Sequence, residues 1–80
     1  MVEILLFGAA ADRAGTRKVQ LELGEAKTLR EIWPALVGRH PELSTMRDTL
    51  AFAVNGEYAR MDGRVEPGDE VAVLPPVSGG

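Results

Sequence analysis

The sequence contains no cysteine among its 80 residues. The chain can therefore form no disulfide, thiolate zinc site, iron–sulfur cluster or cysteine persulfide. It has a single histidine, His40, which cannot build a metal site alone; because it precedes Pro41 after a predicted helix, we predict a solvated loop position for it. The sequence has neither a P-loop nor a dinucleotide-binding glycine motif. We therefore expect this chain to bind no cofactor and no metal.

The sequence also lacks long hydrophobic runs and an excess of positive charge. No segment approaches the roughly 20 apolar residues of a transmembrane helix, and the first residues have no signal-peptide pattern. A net charge of −3 argues against a surface that follows nucleic-acid phosphates. We therefore expect a cytoplasmic protein with protein partners, which binds neither membrane nor nucleic acid.

Length and patterning predict one α+β domain with one thin core. The Asn55-Gly56 pair is a strong hairpin signal. Residues 8–15 are rich in alanine and could form a helical turn. Residues 41–49 are predicted to be irregular and could contain one further turn of helix. Alternation and turn signals predict strands at 2–7, 17–23, 50–54, 57–59 and 71–74.

One main helix is predicted after residue 27. Thr28 and Glu31 fit a capping box, and apolar residues that include Trp33 follow at helical spacing. The helix should end before Pro41, and Trp33 should lie in the core or at its edge. Pro34 removes a backbone hydrogen bond inside this segment, so we expect a kink or a later start.

The chain ends in a segment that cannot continue a strand. Neither Pro75 nor Pro76 has an N–H to donate, so the last strand must stop at residue 74. We predict a domain over 1–74 and an extended tail over 75–80, which could carry the terminal carboxylate on the order of 20 Å from the sheet. Taken alone, a Gly-Gly end favours a frayed terminus without a function. The tail residues are Pro75, Pro76, Val77, Ser78, Gly79 and Gly80.

A strand followed by Pro-Pro-Val-Ser-Gly-Gly resembles the end of the ubiquitin-like sulfur carriers, above all the small subunits of molybdopterin synthase. Weaker similarities lie at 5–7 and 53–56, so the resemblance spans the chain. It implies a β-grasp fold, in which a mixed sheet of four to five strands is covered on one face by one main helix. The first and last strands would then be parallel and central.

The resemblance also implies a function that depends on Gly80. A ubiquitin-activating-like adenylyltransferase would adenylate its carboxylate with ATP, and a sulfur-donating enzyme would convert it to a thiocarboxylate. The tail would insert into the large catalytic subunit of a heterotetrameric synthase and donate sulfur to cyclic pyranopterin monophosphate. The chain would then be a sulfur-donating subunit without an active site of its own.

Strand parity predicts a partner-binding patch on the face without the main helix. If the alternate residues of the first and last strands point toward the helix, their neighbours point away. The predicted patch consists of Leu5, Phe7, Tyr58 and Leu74. A cluster of this kind beside the tail is typical of a protein interface, and the alternative is that loops fold over it.

Two other functions stay open at this stage. A carrier or modifier for thiamine synthesis, tRNA thiolation or protein conjugation would share the fold and the tail. A β-grasp binding module would use the patch and have an idle tail.

Overall fold

The computed structural model describes residues 1–75, so the predicted tail residues after Pro75 lie outside the described part. Its helices and strands are β1 (Val2–Leu6), α1 (Gly8–Ala14), β2 (Lys18–Leu21), α2 (Leu29–Arg39), β3 (Ala51–Val54), β4 (Glu57–Ala59) and β5 (Glu70–Leu74). Short 3-10 turns at Pro41–Leu43 and Arg47–Thr49 occupy the segment predicted to be irregular.

The five strands form one mixed sheet in the order β2-β1-β5-β3-β4. β1 and β5 pair in parallel at its centre, whereas the other neighbouring pairs are antiparallel. This arrangement confirms the predicted fold class and the central position of the first and last strands.

The core lies between α2 and one face of the sheet. Along β1 and β5 every second side chain is buried, as the parity argument predicts. Trp33 of α2 meets Phe52 of β3 edge to face, with ring centroids 5.7 Å apart, which confirms its predicted place in the core. The core residues contributed by β1, β5 and α2 are Val2, Ile4, Leu6, Val71, Val73, Leu29, Ile32, Trp33 and Leu36.

Helix α2 begins at Leu29 and runs continuously through Pro34, so the expected later start is wrong. The Thr28 hydroxyl accepts a hydrogen bond from the Glu31 N–H at 3.4 Å, and the Glu31 carboxylate accepts one from the Lys27 N–H at 3.0 Å. The cap therefore provides hydrogen-bond partners for N–H groups at the start of the helix. Pro34 lies after this first turn on the exposed side of α2, where the backbone carbonyl that loses its helical donor can bind water.

The loop after β4 supplies the remaining partners of this helix end. The Leu29 N–H donates to the Gly63 carbonyl at 3.0 Å, and the Arg30 N–H donates to the Met61 carbonyl at 2.8 Å. These contacts between segments distant in sequence explain why sequence reasoning underestimated the first turn.

Three further segments differ from the sequence predictions. β2 is shorter than the predicted 17–23, and the alanine-rich 8–15 contains a complete helix, α1, whose Ala10 is fully buried. His40 lies just after α2, at the predicted position between the helix and Pro41, but its ring is partly buried, with Nδ1 3.3 Å from a Glu42 carboxylate oxygen.

The predicted hairpin between β3 and β4 is tied to the start of β5. Asn55 and Gly56 both have positive φ, 51° and 85°, as a two-residue type I′ turn requires. The Asn55 amide donates to the Asp69 carboxylate at 3.0 Å and accepts from the Glu70 N–H at 3.0 Å. Asp69 also accepts from the Glu66 N–H at 2.9 Å. These bonds lower the pKa of Asp69, the Asn55 side chain contributing most.

This network predicts a pH-dependent contribution to stability. A carboxyl group whose pKa is lower in the folded than in the unfolded state stabilises the fold above its unfolded pKa, about 3.9, and loses that contribution as the pH falls through the folded pKa. Asp69→Asn should therefore lower the free energy of unfolding at neutral pH, and the difference from the parent should shrink in acid. Denaturant titrations at several pH values measure it. Asp62→Asn is the matched control, and an unchanged difference between neutral and acid pH would contradict the assignment.

Candidate functional site

The sheet face opposite α2 carries a row of residues that crosses all five strands. The register pairs Leu5 with Lys18 of β2 and with Ala72 of β5, Ala72 with Ala53 of β3, and Ala53 with Tyr58 of β4. Tyr58 is 69% exposed. Leu5 and Tyr58 are the two large apolar residues of this row; they lie three strand spacings or about 14 Å apart, and alanines fill the space between them.

A second row lies closer to the tail. Leu74 pairs with Ala51 of β3, and one step beyond the paired Leu6 and Val73, Phe7 lies beside Leu74. Phe7 is 44% exposed and Leu74 is half-buried. All four predicted patch residues therefore lie on the outer face, but in two rows rather than one contiguous cluster.

The opposite end of the same face is polar. Glu3 pairs with Gln20 and with Glu70, and the Gln20 amide donates to the Glu3 carboxylate at 3.1 Å. The outer face thus changes along the strands from charged, at the start of β1 and β5, to apolar where β5 ends. We call the apolar end the outer patch and define it as Leu5, Phe7, Ala51, Ala53, Tyr58, Ala72 and Leu74.

The parallel β1–β5 pair sets where the tail leaves the sheet. The Phe7 N–H donates to the Val73 carbonyl at 3.0 Å, so the pairing continues to the last residues of β5. Gly8 follows with a φ of 57°, and a Cβ at this position would lie 3.5 to 3.7 Å from the ring carbons of Pro75. Pro75, the one tail residue that is described, is exposed and lies against the start of α1.

Sequence reasoning missed the small residues of this surface. Ala72 was accessible to the same parity argument, because it lies between the buried Val71 and Val73. The face on which Ala53 lies could not be predicted in this way, since it depends on the register between β3 and β5. Ala53 is 6% exposed but does not belong to the main core cluster. The contact between Gly8 and Pro75 has no signal in the local sequence.

Within residues 1–75, no three metal-binding side chains come together. No buried side-chain polar atom there is left without a hydrogen-bond partner. The predicted Pro76, Val77, Ser78, Gly79 and Gly80 lie outside the described residues, so their roles stay predictions.

The match of this chain to a known protein family extends over the tail residues as well as the folded domain. The profile of the ThiS family matches residues 4–80. The chain belongs to the ThiS family. Its ubiquitin-like β-grasp fold is shared with small archaeal modifier protein 1 of Haloferax volcanii, whose crystal structure superposes with a TM-score of 0.85 at 33% identity, covering 95% of this chain and 97% of that one.

Proteins similar to this chain include sulfur carriers. The human molybdopterin synthase sulfur carrier subunit is 35% identical over 82 residues, covering 99% of this chain and 93% of the human protein. A structure of subunits 1 and 2 of the molybdopterin-converting factor of Helicobacter pylori in complex contains a chain that matches with a TM-score of 0.67 at 25% identity, covering 99% of this chain and 97% of that one. In the described part of this ThiS-family chain, no helix is long and apolar enough to cross a membrane.

Proposed function

We propose that this protein is a sulfur carrier subunit of molybdopterin synthase, which carries sulfur as a thiocarboxylate on Gly80. The observation that carries the proposal is the central parallel pairing of β1 with β5, which brings the end of the last strand beside the outer patch, where Phe7 and Tyr58 are exposed. A partner that binds the patch therefore meets the start of the tail at the same place. The similarity to molybdopterin synthase sulfur carrier subunits supports this choice of pathway.

The carboxylate must be activated before it can accept sulfur. A terminal carboxyl group has a pKa of about 3.3–3.7, so at neutral pH it is an anion that resists nucleophilic attack. In the proposed first step a carboxylate oxygen attacks the α-phosphorus of ATP, pyrophosphate leaves, and an acyl-adenylate forms. In the second, a hydrosulfide equivalent delivered by a sulfur-donating enzyme attacks the acyl carbon, the bond to the AMP phosphate oxygen breaks, and AMP leaves, so that the thiocarboxylate forms without a change of oxidation state.

The partners supply the catalytic groups in this scheme. An adenylyltransferase would bind ATP, and the large subunit of the synthase would bind cyclic pyranopterin monophosphate, to which the sulfur is transferred. Two consecutive glycines suit the end of the chain, because without Cβ atoms they pass through a narrow cleft and leave the carbonyl open to approach.

A second candidate function is that of a protein modifier. Small archaeal modifier protein 1 of Haloferax volcanii is 36% identical over 87 residues, covering 99% of this chain and all of that protein. A modifier would use the same activated Gly80 but form an amide with an amine of a target protein. Formation of covalent adducts with other proteins, rather than molybdopterin, would favour this function.

The outer patch should bind the large subunit, and Leu74→Asp should abolish complex formation because it places an unpaired charge in an apolar contact. The variant should stay folded, since Leu74 points away from the core. Isothermal titration calorimetry with the large subunit measures the affinity, and circular dichroism checks the fold. Normal affinity of the folded variant would contradict this placement of the interface.

Val73→Ala is the matched control, one residue away and on the other face. Val73 is fully buried, so its truncation should lower the free energy of unfolding by about 1–3 kcal/mol. Its effect on affinity should be small, because the side chain does not reach the outer patch.

Gly80 should be indispensable for sulfur transfer. Deleting it, or adding one residue after it, should prevent molybdopterin formation in a reconstituted synthase, because the thiocarboxylate would be missing or out of register. Both variants should still bind the large subunit, since the outer patch is intact. A chain without Gly80 that supports molybdopterin formation at the normal rate would disprove the carrier function.

A further inference from the structure

Two grooves flank the outer patch, and each contains two cations. The first, about 510 Å³, lies beside β1 and β2 and is lined by Leu5, Phe7, Asp12, Arg17 and Lys18 among others. It therefore combines apolar side chains of the patch with two positive charges and one carboxylate.

The second groove repeats this composition on the other side of the patch. It has a volume of about 360 Å³, and its lining includes Ala51 and Tyr58 of the patch together with Arg47, Asp48 and Arg60. Both flanks of the outer patch are therefore locally positive, although the whole chain carries a net charge of −3.

The far end of the sheet has the opposite sign. A groove at the β3–β4 hairpin is lined by Glu57, Glu66 and Asp69, with Arg64 as its one cation. The two ends of the molecule therefore present different fields to an approaching partner, and the end from which the tail leaves is the positive one.

Two of the four flanking cations are available for an external partner. Within residues 1–75, Arg47 pairs with Asp48 at 3.2 Å and Lys18 with Glu3 at 3.8 Å. No carboxylate of that part of the chain lies within ion-pair distance of Arg17 or Arg60, and both side chains are exposed. One such arginine stands in each groove.

We propose that the protein surface that receives this carrier is apolar at its centre and acidic on both flanks, with carboxylates that face Arg17 and Arg60. This inference rests on the proposed function for the partner, the large synthase subunit, but concerns recognition rather than sulfur transfer. Arginine suits the role because its planar guanidinium binds a carboxylate with two parallel hydrogen bonds.

The charge arrangement also orients the encounter. An acidic receiving surface attracts the tail end and repels the carboxylates at the far end, so productive collisions are favoured before any apolar contact forms. Because the patch lies between the two arginines, two contacts fix the rotation of the carrier about its tail, which a single contact cannot do.

The test compares two double variants that remove the same charge. R17Q/R60Q neutralises the flanking arginines, whereas R30Q/R64Q neutralises two exposed arginines, one on α2 and one in the far groove. Affinity of each full-length variant for the large synthase subunit is measured across a range of salt concentrations. R17Q/R60Q should bind about tenfold more weakly than the parent at low salt and should show a flatter salt dependence. R30Q/R64Q should bind like the parent.

Equal affinity and equal salt dependence of R17Q/R60Q and the parent would overturn the proposal, as would an equal loss in both double variants, which would show an effect of net charge alone. The Leu74→Asp variant separates this failure from failure of the outer patch as the interface, and deletion of Gly80 tests the carrier function itself. If Leu74→Asp loses binding and R17Q/R60Q does not, only the acidic flanks are wrong. If neither variant loses binding, the outer patch is not the interface and the acidic flanks are wrong as well, whereas the carrier function is judged separately by deletion of Gly80.

Discussion

The parallel pairing of the first strand with the last is the constraint on which the rest of the structure depends. It makes β1 and β5 the centre of the sheet, so both are buried by α2 on one face and both contribute to the outer patch on the other. It also fixes the end of β5 beside Phe7 and Gly8, although these residues are far from β5 in the sequence. One face of the sheet therefore holds the fold together, whereas the opposite face carries the outer patch, which the proposed function assigns to partners.

Much of this arrangement follows from local patterns in the sequence. Alternation alone assigned Leu5 and Leu74 to the face away from the helix, because a strand has only two faces and valines mark the buried one. The Asn55-Gly56 turn was equally predictable, since few other residue pairs accept two positive φ angles. What local patterns could not give was contact between distant segments. The start of α2 depends on carbonyls of Gly63 and Met61, and these outweigh the expected disruption by Pro34.

The candidate site likewise combines features that local sequence patterns predict with features that depend on contacts between distant segments. For the tail, the sequence motif predicts Gly80 as the reactive end, in agreement with the absence of cysteine, and this role stays a prediction. The surface around the tail needed the register of all five strands. Ala53 and Ala72 separate Tyr58 from Leu5, so the patch is broad and shallow rather than a compact cluster of large side chains. The positive grooves on its flanks are lined by residues of five separate segments, so no short stretch of the sequence contains them together.

The most direct measurement is the intact mass of the full-length protein after incubation with ATP, the activating enzyme and a sulfur donor. The chain has no cysteine, and the proposed function places the sulfur on the carboxyl group of Gly80. The expected result is a mass increase equal to the replacement of one oxygen by sulfur, located at Gly80 by fragmentation and absent when ATP is omitted. An unchanged mass under conditions in which the same enzymes convert a known carrier, or a sulfur located anywhere other than Gly80, would contradict the carrier function.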